Sequence, residues 1–344
     1  MPTPLPIYEF LKMAEYTPII DVRSEGEFNN GHIPGAINIP IFNNEERARV
    51  GTLYKQNSRE VAIEVGLEIV GPKLATLVRV AKTKIKGKDA LIHCWRGGMR
   101  SGSFAWLLEM AGFKVYTLVK GYKAYRNCVL DSFLQPYSLI LLGGKTGSGK
   151  THLLHGLKDR GEQVIDLEGL CCHKGSSFGS LGQPNQPSSE QFENNLHKIL
   201  MGMNANQRIW VEDESRNLGG VVLPENFYKK MKTAPLVFID VEKEIRIKNL
   251  VEEYGCYPKD KLRASIERIS KKLGGLNCKA TLEALDGGRF HEVASLCLSY
   301  YDKTYLRGLE TKKTTTLVKT IPLEPCNTEE SVNLILAEAE KFKM

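Results

Sequence analysis

The 344 residues predict two α/β domains in tandem, and three observations carry that reading. Short apolar runs alternate with stretches of helical period along the chain, the pattern of sheets with covering helices. One such run, Ala90–Cys94, ends on a cysteine followed by a glycine-containing loop. Another, Ser138–Leu142, runs into the glycine-rich loop Gly144–Thr151, which has the spacing of a phosphate-binding loop. At roughly 100–200 residues per domain, the length fits two.

Taken in order, Pro18-Ile-Ile-Asp21-Val22-Arg23 reads as a short buried strand and Ala90–Cys94 as another. Between them, 72–81 carries apolar residues at helical spacing. A helix follows over 101–110, a strand over 114–118, and a turn with a short helix over 121–127. Gln135-Pro136 interrupts before the next apolar strand, which places a linker at 132–137 between a first domain at 1–131 and a second at 138–344. The second begins with strand 138–142, the glycine-rich loop and a helix over 151–160. Further buried strands are expected at 163–167, 208–211 and 236–241, with a C-terminal strand in 314–323 and a helix over 328–342. The segment 169–189, rich in Gly, Ser, Pro and Asn, reads as a long polar loop of the kind that covers active sites.

Hydrophobic residues at 42% and charged residues at 25% are the balance of a globular protein with real cores. No apolar run approaches the roughly 18 residues that span a bilayer. The start, Met1-Pro-Thr-Pro-Leu-Pro6, lacks a signal peptide's basic and apolar regions, so a cytoplasmic protein with no membrane partner is expected. Eight cysteines without a C-x-x-C pair do not make a disulfide scaffold, and Cys171-Cys172-His173 has no second ligand pair at zinc-finger spacing. The net charge of +7 divides unevenly: residues 1–137 hold 18 Lys and Arg against 13 Asp and Glu. That excess permits a polyanionic partner without requiring one.

The first candidate site is Cys94 with the anion cradle Trp95, Arg96, Gly97, Gly98, Met99, Arg100 and Ser101. Backbone N–H groups of such a loop converge on the sulfur, and the helix that follows adds its positive end. Both lower a thiol's pKa and make it nucleophilic, then hold a transferred anionic group. The bland alternative is a buried cysteine packing as a small hydrophobe.

The second candidate site, Gly144-Lys145-Thr146-Gly147-Ser148-Gly149-Lys150-Thr151, satisfies G-x-x-x-x-G-K-[ST] between an apolar strand and a helix. Loop N–H groups would surround a di- or triphosphate, with Lys150 as a point charge. The Thr151 hydroxyl is placed to ligate a magnesium ion where one accompanies the phosphates. Glu212, Asp213 and Glu214 follow a strand and are candidates for catalytic or metal support; Asp240 ends another strand. Arg263 and Arg268, with Lys271 and Lys272, lie on a helix as candidates for a phosphate-closing lid or simply a solvated face.

The stretch Asp21-Val22-Arg23-Ser24-x-x-Glu27-Phe28-x-x-Gly31-His32-Ile33-Pro34-Gly35-Ala36-x-Asn38-Ile39-Pro40 resembles the N-terminal signature of rhodanese domains, which carry sulfur or selenium on cysteine. The spacing His93-Cys94-x5-Arg100-Ser101 is similar to that of cysteine phosphatases, and one extra loop residue suits a tetrahedral oxyanion. Loop length leaves phosphatase and chalcogen transferase both open. The fold class is therefore an N-terminal rhodanese-like domain followed by a P-loop NTPase-like parallel α/β domain.

Further motifs narrow the resemblance. The run from His93 to Ser101, Val50-Gly51-Thr52-Leu53-Tyr54-Lys55, Gly144–Thr151, Asp166-Leu167-Glu168-Gly169, Gly175-Ser176-Ser177-Phe178-Gly179, Val211–Ser215 and Tyr300-Tyr301-Asp302 together resemble the tRNA 2-selenouridine synthase family, over about residues 7 to 305. Cys171–Lys174 and Lys303 depart from that pattern. The resemblance implies a transferase acting on the wobble 2-thiouridine of tRNAs for lysine, glutamate and glutamine. Sulfur is first alkylated by geranyl diphosphate to S-geranyl-2-thiouridine, and selenium from selenophosphate then replaces the geranylthio group. It implies Cys94 as the selenium-carrying nucleophile, Gly144–Thr151 as the diphosphate cradle, and no tightly bound cofactor. The alternatives are a rhodanese-fold cysteine phosphatase fused to a small-molecule kinase, and a thiosulfate sulfurtransferase with a P-loop regulatory domain.

Overall fold

The computed structural model describes residues 2–314, 316–323 and 328–342. The chain divides into two compact units: Met1–Ser132 with Glu193–Lys198, and Phe133–Phe192 with Ile199–Met344. Both are α/β, as the sequence predicts.

In the first unit the strands are β1 (Thr3–Leu5), β2 (Ile19–Asp21), β3 (Ile37–Asn38), β4 (Asp89–His93) and β5 (Lys114–Leu118). They form one parallel sheet in the order β1-β5-β4-β2-β3. The helices are α1 (Ile7–Met13), α2 (Glu25–Asn30), α3 (Asn44–Gln56), α4 (Arg59–Val70), α5 (Leu74–Lys84), α6 (Met99–Met110) and α7 (Gly121–Ser132). β4 is central, with Leu91 opposite Ile19 on one side and Tyr116 on the other. Ala90, Leu91 and Ile92 are fully buried, which explains the unbroken apolar run: a parallel strand covered on both faces has no polar side. Phe104, Ala105 and Leu108 of α6 pack into the same core as Ile20, Ile92 and Val115.

In the second unit the strands are β6 (Leu139–Gly144), β7 (Gln163–Ile165), β8 (Ile209–Glu212), β9 (Asn217–Leu218), β10 (Val221–Val222), β11 (Leu236–Val241) and β12 (Val318–Leu323). Five of them make a parallel sheet ordered β12-β11-β6-β8-β7, and β9 and β10 form a small antiparallel hairpin. The helices are α8 (Lys150–Asp159), α9 (Leu167–Cys171), α10 (Ser189–Met201), α11 (Glu225–Thr233), α12 (Lys243–Tyr254), α13 (Lys259–Arg268), α14 (Ser270–Leu273), α15 (Gly275–Asp286), α16 (Phe290–Lys313) and α17 (Thr328–Ala339). β6 is entirely buried between β11 and β8, so the loop that follows it rises from the middle of the sheet. A separate apolar cluster joins α13 to α16 through Leu262, Ile266, Leu285, Val293 and Cys297.

Three expectations change in detail. The strand expected over 163–167 ends at Ile165, because Asp166 turns its carboxylate onto the Gly169 N–H (2.6 Å) and caps α9. The short helix at 121–127 continues to Ser132, burying Tyr122, Tyr125 and Val129. The segment 169–189 is pinned rather than loose. Gln186 donates to the carbonyls of Cys171 and Leu218 (3.0 Å each), and Ser177 donates its hydroxyl to Ser265 O (2.7 Å). No described helix is long and apolar enough to cross a membrane.

Candidate active sites

Cys94 follows the last residue of β4 and is 3% exposed. Its Sγ lies 3.2 Å from Ser101 Oγ, and that hydroxyl also reaches Gly98 O at 3.1 Å. A hydroxyl can turn, donating to the carbonyl beside a thiol or to the sulfur once it ionises. Burial alone pushes the Cys94 thiol up. The Ser101 hydroxyl and backbone, the Arg100 charge and the Gly98 backbone outweigh it, and the thiol sits below its ordinary value. Of the predicted cradle, Trp95 is half-buried, whereas Arg96, Gly97, Gly98 and Met99 are exposed and Met99 opens α6.

Arg100 does not stand alone. Its Nη1 donates to Glu27 Oε2 at 2.7 Å, and this pair holds the Glu27 carboxyl below the usual range despite the opposing effect of burial. Glu27 also closes a capping box with Ser24 at the start of α2. The rest of the signature builds the floor. Fully buried Arg23 grips Asp21 through Nε (3.0 Å) and Nη2 (2.6 Å), reaches Gly31 O (2.7 Å), and lies 3.7 Å over the Tyr122 ring. From the other side, the corner after β5 docks backbone to backbone: Tyr122 N–H donates to Cys94 O (2.8 Å) and Lys123 N–H to Trp95 O (3.0 Å). Gly121, at φ +58°, is required there, since a Cβ would fall 2.4 Å from both Cys94 O and Gly97 N.

The phosphate-binding loop leaves β6 at Gly144 and enters α8 at Lys150, with left-handed Gly147 and Gly149 between them. Lys150 Nζ donates to Gly144 O at 3.1 Å, and Lys145 Nζ to Asp240 Oδ1 at 2.9 Å. Residues from α12 and α16 hold the loop. Arg246 forks onto Asp302 with two 2.8 Å contacts and donates to Thr146 O (3.2 Å), while Asn249 donates to Gly147 O (2.9 Å). The Gly144 N–H donates to Tyr305 OH (3.0 Å), which donates in turn to Asp213 Oδ2 (3.1 Å).

The three acids after β8 take separate roles. Asp213 is ion-paired with Lys312, whose ammonium burial pulls down to about 8. Glu212 is fully buried and accepts from the Leu167 N–H (2.6 Å); burial, then the charges of Asp166, Glu168 and Glu214, raise its carboxyl well above the ordinary value. Glu214 is joined by Glu168, which the sequence offered only as part of Asp166–Gly169. A Cβ at Gly175 would lie 2.8 Å from Glu168 Oε1 and 2.9 Å from Glu214 Oε2, so the two carboxylates close on one point. Thr151 Oγ1 lies 3.4 Å from Glu168 Oε2. Burial and then Glu214 push Glu168 up to about 7, although Lys150 pulls it down. Thr151, Glu168 and Glu214 suit a magnesium ion held jointly with a diphosphate, which needs only one or two protein carboxylates. Among the described residues, no group of three or more His, Cys, Asp or Glu is arranged to hold a metal.

Beside Thr146 lies an apolar cleft lined by Phe178, Leu250, Tyr254, Leu262, Phe290, Val293 and Tyr301 among others. Phe178 and Tyr301 stand inside motifs the sequence offered, but nothing in the sequence pattern joined them to the others, which come from α12, α13 and α16. Arg263 is ion-paired with Asp286, and no described hydrogen bond or ion pair brings Arg263 or Arg268 to the phosphate-binding loop. Of the unpredicted residues, Glu27, Glu168 and Asp302 stand inside recognised motifs; Arg246, Asn249, Tyr305 and Lys312 carry no local signal.

Both domains have counterparts among known proteins. Residues 7–128 match the rhodanese-like domain, and residues 137–324 match the tRNA 2-selenouridine synthase AAA domain. A tRNA 2-selenouridine synthase of Bdellovibrio bacteriovorus is 35% identical, the alignment covering 88% of this chain and 91% of that one. Proteins of the same name are 33% identical in Nitrosomonas europaea (86% and 90% covered) and 35% identical in Proteus mirabilis (88% and 91% covered). With both domains matched in order and relatives aligned along most of its length, the chain belongs to the tRNA 2-selenouridine synthase family.

Proposed function

We propose that this protein converts wobble 2-thiouridine of tRNA to 2-selenouridine in two steps, through S-geranyl-2-thiouridine. In the first, the sulfur at C2 attacks C1 of geranyl diphosphate; the C–S bond forms, the C–O bond breaks, diphosphate leaves and the N3 proton is released. In the second, the C2–Se bond forms and the C2–S bond breaks. Water takes the phosphoryl group of selenophosphate, and geranyl thiol and phosphate depart.

The observation that carries this reading is the apolar cleft against Thr146. A loop built for phosphate alone needs no greasy neighbour, whereas a prenyl diphosphate needs both. The Lys150 ammonium and loop N–H groups would stabilise the charge developing on the leaving diphosphate. Magnesium, when bound, supplies further charge at that diphosphate and would be held by Thr151, Glu168 and Glu214. The Cys94 thiol, held below its ordinary value beside Ser101 and Arg100, supplies the second step with a nucleophile. Its thiolate displaces the geranylthio group at C2, and the selenide freed when water takes the phosphoryl group then displaces Cys94, so the thiolate is regenerated and no oxidant is needed.

The test is incubation of the intact protein with 2-thiouridine tRNA, geranyl diphosphate and selenophosphate, followed by mass analysis of nucleosides. Both the geranylated and the selenated nucleoside are expected; absence of both overturns the proposal. Leu250→Arg, which sets a charge in the cleft, should lower the rate of geranylation at least 10-fold. Release of phosphate from aryl phosphates dependent on Cys94 would favour the phosphatase–kinase alternative instead.

A further inference from the structure

The two segments that meet around Cys94 share a property that the chemistry at the sulfur does not demand. Residues 94–108 and 119–130 contain five basic residues (Arg96, Arg100, Lys120, Lys123 and Arg126) and no Asp or Glu. Arg100 is committed to Glu27. Arg96, Lys120 and Lys123 are exposed, and among the described residues none enters a side-chain hydrogen bond or ion pair. Their positions are fixed by backbone: the Lys123 N–H bonds Trp95 O, and Gly121 is pressed against Cys94 O and Gly97 N. Lys120 itself sits at φ +60°, one of only two non-glycine residues in the left-handed region among the described residues. A lysine there carries a conformational strain that glycine would not, and such strain persists where its surroundings impose it.

We infer that Arg96, Lys120 and Lys123 form a cationic collar around the mouth of the Cys94 cradle, and that it seats backbone phosphates of the tRNA beside the base being modified. The inference rests on tRNA being the substrate. Charge complementarity selects the occupant. A small anion at the sulfur needs no more than the loop N–H groups and the Ser101 hydroxyl beside it, whereas three exposed, unopposed cations spread over two segments match a chain of phosphates. All strands of this sheet are parallel, so the collar lies at their C-terminal edge with Cys94. Lys86 and Lys88 lead directly into β4 and so lie at the opposite edge; with Lys82, in the last turn of α5, they serve as a charge-matched control.

The experiment measures binding of the full chain to 2-thiouridine tRNA from 50 to 300 mM KCl, with wild type, the triple variant Arg96→Ala/Lys120→Gly/Lys123→Ala, and the control Lys82→Ala/Lys86→Ala/Lys88→Ala. For the collar variant, affinity at 150 mM salt should fall roughly 10-fold or more, and the log–log salt slope should fall by about 2. The control should change neither by as much. The single variant Lys120→Gly should melt no lower than wild type while still weakening binding, which separates loss of charge from loss of fold. A collar variant that binds tRNA like wild type, or no worse than the control, overturns the inference. So does a collar variant with intact tRNA binding in which inorganic phosphate no longer protects Cys94 from iodoacetamide, since the collar would then serve the small anion. Failure of the wild-type protein to bind tRNA at all would instead defeat the functional reading beneath it.

Discussion

Burial pushes the Cys94 thiol up, and three neighbours, Ser101, Arg100 and Gly98, more than reverse that effect. Removing them has a predictable sign. Thiolate fraction rises with pH, so Arg100→Ala or Ser101→Ala should move the inflection of Cys94 alkylation by iodoacetamide to higher pH and slow the reaction at pH 7 several-fold. An unchanged profile would mean that neither group reaches the sulfur. Glu168 behaves in the opposite sense. Its carboxyl rises from 4.5 to about 7 on folding, so the native state keeps a proton that the unfolded chain has lost. Stability from this group is present below about 4.5 and declines as pH rises toward 7. Glu168→Gln removes that decline. In melts without ligand, the variant's gain over wild type should be larger at pH 8 than at pH 5, by on the order of 2–3 kcal/mol.

At the scale of elements, the phosphate-binding loop is held from α12 and α16 rather than by its own sequence. Arg246→Met leaves Asp302 without its fork and frees Thr146 O; it should cost roughly 3 kcal/mol and be visible as a lower calorimetric transition for the second unit. The loop itself was legible, because strand, glycines, Lys150 and helix are contiguous and each has a local reason. So were β4, β6 and β11, whose apolar runs record burial on both faces. What could not be read came from distance along the chain. Arg246 and Gly144 meet residues more than fifty positions away, and the cleft draws its lining from four separate segments. The helices α3 and α4 escaped for another reason: α3 buries no side chain, so it has no apolar stripe to reveal it. Glu27 sat inside a recognised signature, yet its partner Arg100 is 73 residues on, and only the fold joins them.

For the whole molecule, the proposed function assigns the two chemistries to different units: alkylation to the phosphate-binding loop and its cleft, selenation to Cys94. The steps should therefore separate cleanly by mutation. Cys94→Ser should accumulate S-geranyl-2-thiouridine, while Lys150→Ala should leave 2-thiouridine unchanged. The most direct measurement bypasses the first step: tRNA already carrying S-geranyl-2-thiouridine is given, with selenophosphate, to wild type, Lys150→Ala and Cys94→Ser. Lys150→Ala should form 2-selenouridine at close to the wild-type rate and Cys94→Ser should form none. If Lys150→Ala remains inactive on the geranylated tRNA while folded, or Cys94→Ser makes 2-selenouridine, the division of labour is wrong.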